Sequence, residues 1–171
     1  MSDADGARVY RRSLTFLLEA AFVTLFPEAV LIIDHSISSG GYYCHVNGLP
    51  VPGRDELLRL ENEMGRLVDA DLPFLRREIP VAEAIAYFEK ENYPDKVSLL
   101  KHRRKPYVTL YNLGEHMDYH HGYMVPSTGY LRWLALTALG QGFVLRYPRR
   151  HATRDLLPMP EFFAGLRPTW E

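Results

Sequence analysis

A single cysteine, no long apolar run and none of the common phosphate-cradling glycine patterns set the first limits on this chain of 171 residues. With only Cys44, no internal disulfide can form, so the fold must rest on a packed core and suits a reducing compartment. No apolar stretch approaches the ~20 residues of a membrane helix. Residues 1–8 lack the apolar segment of a signal peptide, so the expected location is the cytoplasm. G-x-x-x-x-G-K-[ST], G-x-G-x-x-G after a strand and G-x-S-x-G are all missing. ATP hydrolysis, dinucleotide redox chemistry and α/β-hydrolase acyl transfer therefore lack motif support. A net charge of -1 gives no global attraction to nucleic acid or anionic membrane.

What is present suits one domain with a real core: 47% hydrophobic and 24% charged residues. Leu14, Leu17, Leu18, Ala21, Phe22 and Leu25 recur at helical spacing and predict an amphipathic helix over 9–26, stopped by Pro27. Two short runs, 30–33 and 41–46, flank Ser38-Ser39-Gly40-Gly41 and predict a β-hairpin. Leu57, Leu60, Met64, Leu67 and Val68 predict a second helix over 55–70. A strand over 74–79, a third helix over 81–90 opened by Pro80, and a helical turn within 93–100 follow. Runs 108–113, 131–136 and 142–147 are β-like, and 115–121 reads as a loop. This order points to α+β: two layers, with a largely antiparallel sheet packed by helices. Residues 1–8 are read as a disordered or linker N-terminus, 9–148 as the domain, and 149–171 as a tail or linker.

Basic residues cluster at Arg8, Arg11 and Arg12, over 101–105, and over 146–151. Such runs are commonly solvated faces. Among the histidines, His116, His120 and His121 lie beside Asp118 in one segment. They could form a rebuilt zinc site or a hydrogen-bonded polar cluster. Adjacent His120 and His121 on an extended chain point to opposite faces, which argues against one shared ion. Asp34-His35-Ser36 is too compact in sequence to signal a catalytic triad and reads as turn chemistry. Tyr42, Tyr43, Tyr119, Tyr123 and Trp133 either pack the sheet or line a base-stacking pocket. Cys44 reads as a buried inert thiol.

Val9 to Pro27, VYRRSLTFLLEAAFVTLFP, resembles the opening helix of the editing domain shared by threonyl- and alanyl-tRNA synthetases. Gly41-Tyr42-Tyr43 is similar to that domain's GFYY strand, Asp95 to Leu100 to its YKVxLI segment, and Met124-Val125-Pro126 to its HVP. In that family two helix histidines and a later C-x-x-x-H pair hold zinc or the substrate water. Here Arg12 and Phe16 stand at the helix positions, and His120 and Met124 at the later ones. Arginine does not give up its proton to a metal and phenylalanine has no lone pair. Only His120 remains a ligand, so the resemblance implies no zinc and no cofactor in this chain.

A closer likeness is to the version of this domain found N-terminal to bacterial uridine-kinase-like proteins. They are similar in YRRSLxFLL, in IxHSxxxGYYC (here 33–36 and 41–44) and in GxxVPSTGYL (here 122–131). That resemblance implies a fused or associated phosphate-loop nucleoside kinase domain, a transferase in which ATP and Mg would act. It makes this chain a non-catalytic ligand- or partner-binding module with a degenerate editing site. The pocket is expected between the first helix and the sheet, drawing on Arg12, His35, Tyr43, His116, Asp118, His120 and Ser127. Arg12 places a permanent cation there, so a small anionic ligand or nucleotide is expected. The alternative is a free-standing editing hydrolase rebuilt around His35, His116, Asp118 and His120, with Arg12 holding the tRNA 3′ end.

Overall fold

A computed structural model describes residues 4–148. The expected tail, 149–171, lies outside them. The elements run α1 (Ala4–Leu25), β1 (Val30–Ile37), β2 (Gly41–Asn47), α2 (Arg54–Asp69), β3 (Leu75–Pro80), α3 (Val81–Lys90), α4 (Pro94–Lys101), β4 (Tyr107–Leu113), β5 (His116–Tyr119), β6 (Ala135–Leu139) and β7 (Gly142–Arg146). The fold is α+β, as the element order predicts, but its strands form two antiparallel sheets rather than one.

The described residues divide into two compact units, 4–73 with 124–148, and 74–123. In the first, strands run β1-β2-β7-β6, and α1 packs on α2 and β1. Leu14, Leu17, Leu18 and Phe22 on α1 and Leu60 and Met64 on α2 are all 2% exposed or less, the apolar stripes that the spacing predicts. α1 begins five residues before the predicted start. Ala4, Ala7 and Arg8 favour helix, and Asp5 lies in the first turn, where a carboxylate suits the helix dipole. At the start of α2, the Glu56 side chain accepts the Gly53 N–H at 2.9 Å.

The second unit has a three-stranded sheet, β3-β4-β5, with α3 and α4. Ile79, Ala84, Phe88, Val97, Leu100, Val108 and Leu110 form its core. Phe88 is fully buried and meets Tyr87, Tyr93 and Tyr119 edge-on, at centroid distances of 5.1, 6.2 and 6.0 Å.

Three readings need correction. Asp34-His35-Ser36 does not form the turn: β1 continues to Ile37, and the turn closes through the Gly40 N–H to the Ile37 carbonyl, with Gly40 at φ +91. The 115–121 loop contains strand β5, paired to β4 from Leu113↔His116 to Leu110↔Tyr119. The strand predicted over 131–136 starts only at Ala135, and a 3-10 turn occupies Thr128–Tyr130.

That last shift has a physical cause. Residues 124–134 form no ladder, so their buried backbone groups need other partners. Ser13 Oγ accepts the Val125 N–H at 2.8 Å. Tyr10 Oη donates to the Trp133 carbonyl at 2.8 Å and accepts the Trp133 N–H at 3.1 Å. Thr128, fully buried, donates from Oγ1 to the Leu67 carbonyl and accepts the Leu72 N–H at 2.8 Å. Its own N–H reaches the Leu72 carbonyl at 2.9 Å. Thr128→Val keeps the shape and removes both side-chain hydrogen bonds, stranding the Leu72 N–H. We expect it to cost about 2 kcal/mol, read from the urea midpoint at unchanged m-value.

Candidate functional site

On α1, residues 8, 11, 12, 15 and 19 fall on one face because their spacing is i, i+3, i+4, i+7 and i+11. Arg8, Arg11, Arg12, Thr15 and Glu19 line an open groove of about 380 Å³ together with Ile33 of β1 and Tyr42 of β2. Three guanidinium-bearing residues thus gather at one end, and the Glu19 carboxylate sits further along the helix. Arg11 also lies over the Tyr147 ring at 5.7 Å, and Tyr147 meets Tyr42 at 5.4 Å. The other α1 face is apolar. Phe16 is fully buried, and Met124, in the segment that Ser13 holds, is 9% exposed.

His35 and Tyr43 are not in this groove. Ile33 pairs with Cys44, but the register shifts at Asp34, so His35 pairs with Tyr43. The extra residue turns the strand over. Ile33, Tyr42 and Cys44 keep one face, while His35 and Tyr43 take the other. There the His35 and Tyr43 rings sit 5.5 Å apart, with His45 6.2 Å from Tyr43. The exposed His35 ring lies 3.2 Å from the Asp34 carboxylate through Nδ1. Burial, with Asp34 nearby, pushes the Tyr43 phenol up from 10.0.

Ser127 is placed as a structural clip. Its hydroxyl donates to Asp71 Oδ1, and the same oxygen accepts the Gly129 N–H at 3.1 Å. Asp71 holds a left-handed conformation at φ +49, which aspartate tolerates better than most residues. A Cβ at Gly129 would fall on the Asp71 carboxylate, so this position requires glycine.

In the second unit, His116 and Asp118 alternate with Met117 and Tyr119, which pack on the core. Asp118, 7% exposed, forms an ion pair with Lys96 Nζ at 2.5 Å and accepts the Tyr119 N–H at 2.8 Å. The Lys96 ammonium also lies 4.6 Å from the Tyr93 ring centroid and 5.3 Å from that of Phe88. His120 continues the strand edge, its N–H reaching the Thr109 carbonyl at 3.3 Å. Sequence reading missed Lys96, whose partner lies 22 residues away. It noted Arg8 and Arg11 only as a basic cluster, although their spacing already placed them on one face with Arg12.

The chain is similar to threonine–tRNA ligases. One from Desulforamulus reducens is 34% identical over 143 residues, 83% of this chain and 22% of that protein. Those of Laribacter hongkongensis and Delftia acidovorans are 37% identical over 131 residues and 38% over 136. These cover 76% and 78% of this chain, and 20% and 21% of the ligases. The chain thus spans about a fifth of the length of the curated relatives it matches. No protein-family model matches. The similarity supports a domain of the threonyl-tRNA-synthetase editing type. No helix among the described residues is long and apolar enough to cross a membrane.

Burial pushes the Cys44 thiol from 9.0 up to about 12 and the Tyr10 phenol from 10.0 up to about 12. Tyr87 rises to about 12 through burial, with Glu91, Tyr93 and Asp118 adding to it. Each folded value exceeds its unfolded value, so the stability these neutral groups contribute is full below pH ~9. It is lost as pH rises from ~9 towards 12. Urea midpoints should therefore be level between pH 7 and 8 and fall above ~9, and native Cys44 should resist iodoacetamide at pH 8 until the chain unfolds.

Proposed function

We propose that this domain is a non-catalytic module that binds a small anionic, nucleotide-like ligand in the α1 groove. On this reading it is coupled to a phosphate-loop nucleoside kinase domain. The observation that carries the proposal is the set Arg8, Arg11 and Arg12 on one helix face beside Tyr42. Guanidinium groups stay charged at all physiological pH values and bind phosphate oxygens through paired N–H donors. A neighbouring tyrosine adds a ring on which a base can stack.

Two further features support the module over a catalyst. The positions matching the family's helix histidines carry Arg12 and Phe16, and Phe16 has its whole side chain in the core. The VPSTGYL stretch, similar to that of uridine-kinase-like proteins, is what supports the kinase coupling. Its Ser127 and Thr128 have structural partners in Asp71, Leu67 and Leu72.

The similarity to enzymes named for tRNA favours one second reading, a hydrolase acting on mischarged tRNA. Calorimetric titration with nucleoside mono- and triphosphates separates the two. The module should take up nucleotide, and Arg11→Ala or Arg12→Ala should each weaken uptake about tenfold, as loss of a charge-assisted hydrogen bond does. Equal affinity in both variants, or no uptake at millimolar nucleotide, refutes the groove. Hydrolysis of mischarged threonyl-system tRNA by the wild-type chain refutes the non-catalytic reading. A native polypeptide no heavier than 19.7 kDa, detected with an antibody to this domain, would remove the fused kinase.

A further inference from the structure

The groove that α1 shares with the β1–β2 hairpin carries charge of both signs. Its cations, Arg8, Arg11 and Arg12, stand towards the start of the helix. Among the described residues that line it, Glu19 alone is acidic. Arg12 and Glu19 are two helical turns apart, roughly 10 Å along the axis, so the helix itself fixes their separation. The hairpin adds an apolar and an aromatic surface through Ile33 and Tyr42.

Glu19 is held in this place by its neighbours. Leu18 and Ala20 on either side are 0% and 5% exposed, so the helix cannot turn to carry the carboxylate away from the groove. The Thr15 hydroxyl, one turn earlier, donates to the Arg12 carbonyl at 2.8 Å and so does not spend its proton on Glu19. The carboxylate also sits close enough to the hairpin to be felt there. Burial raises the Cys44 thiol first of all, and the Glu19 charge adds to that shift. A carboxylate repels phosphate, so a groove for a bare anion gains nothing from Glu19. A ligand with an anionic head and hydrogen-bond donors at its other end uses both charges.

On the reading that this groove takes a nucleotide, we propose that it selects guanine. The phosphate lies on the arginines, and the Glu19 carboxylate meets the Watson–Crick edge of the base. An ionised carboxylate only accepts hydrogen bonds, through two adjacent oxygens. Guanine presents two adjacent donors, N1–H and the 2-amino group, and matches it. Adenine and cytosine each set a ring-nitrogen lone pair beside their amino group. Uracil flanks its one N–H with two carbonyl oxygens. Each of those bases therefore turns at least one lone pair towards the carboxylate, and a site built to receive donors rejects them. The separation of Arg12 from Glu19 suits the span from the 5′-phosphate to the far edge of a purine.

The test is calorimetric titration of the full chain at neutral pH with GMP, IMP, AMP and UMP. GMP should bind about tenfold or more tightly than AMP or UMP, the effect of hydrogen bonds to a charged group. IMP, which keeps N1–H and lacks the 2-amino group, should fall between GMP and AMP. Glu19→Gln should weaken GMP about tenfold and leave AMP as tight or tighter, because an amide offers the donor and acceptor that adenine matches. Equal affinity of wild type for GMP and AMP overturns the guanine assignment and leaves the anion groove standing. So does an equal loss for GMP and AMP in Glu19→Gln, which would make the residue structural. Uptake of none of the four overturns the groove itself. The comparison among the four nucleotides on wild type decides the matter even where the variant does not fold.

Discussion

The first unit depends on satisfying a backbone that has no ladder of its own. Between Met124 and Ala135 the chain is irregular, with Met124, Val125, Thr128 and Leu131 buried, and an unpaired buried amide costs ~1–3 kcal/mol. Side chains from elsewhere supply the partners: Ser13 and Tyr10 from α1, Asp71 from the turn after α2, and Glu61, which accepts the Leu136 N–H at 2.9 Å. Thr128 works in reverse, sending its hydroxyl back to the end of α2. These clips fix where β6 can begin. They also hold α1 and α2 against the segment that leads into the β6–β7 hairpin, and β7 then pairs with β2 to complete the sheet. A helix serving as a hydrogen-bonding partner on one edge is left free to carry charge on another, which is how α1 holds Ser13 and the arginine row in adjacent positions.

The parts of this fold that could be read from the sequence are those whose information is local. Leu14, Leu17, Leu18 and Phe22 announce α1 by spacing alone, and the Ser-Ser-Gly-Gly turn announces the hairpin. The parts that could not be read depend on distant partners. Leu131 to Leu136 has the composition of a strand, but Tyr10, 123 residues from Trp133 in sequence, holds the backbone out of the ladder there. β5 is four residues with a histidine and an aspartate, and only pairing with β4 makes it a strand. The candidate site divides in the same way. Arg12 was legible as a permanent cation on a helix. Ser127 looked like a ligand because its partner, Asp71, lies 56 residues away in an uncommon conformation. His35 was assigned to the helix side of the hairpin because a one-residue bulge leaves no signature in the sequence, yet it inverts the face of the rest of its strand.

Lys96 and Asp118 show how the second unit keeps a part-buried charge pair beside its aromatic cluster. Removing a carboxylate and an ammonium from water is costly, and Coulomb attraction alone seldom offsets it. Here both ions have additional partners. The second Asp118 oxygen accepts a backbone N–H, and the ammonium faces the Tyr93 and Phe88 rings. The pair fixes α4 to β5 at one orientation, which a purely apolar contact would specify less sharply.

Phe16 bears most directly on whether a chain with this resemblance can keep the chemistry of its relatives. A histidine and a phenylalanine differ little in size, so the helix need not move to accommodate either. The difference lies in what the surroundings ask of the side chain. At zero exposure, an imidazole without a metal or a hydrogen-bonding partner would carry the desolvation cost of a buried polar group, whereas a phenyl ring gains by being there. Where no metal is held, the apolar residue is the more stable occupant of such a position. Arg12, one helical turn earlier, lines a groove and can keep its charge in contact with water. Phe16 therefore adds to the core, while Arg12, at the edge of the same helix stripe, lends its charge to the groove.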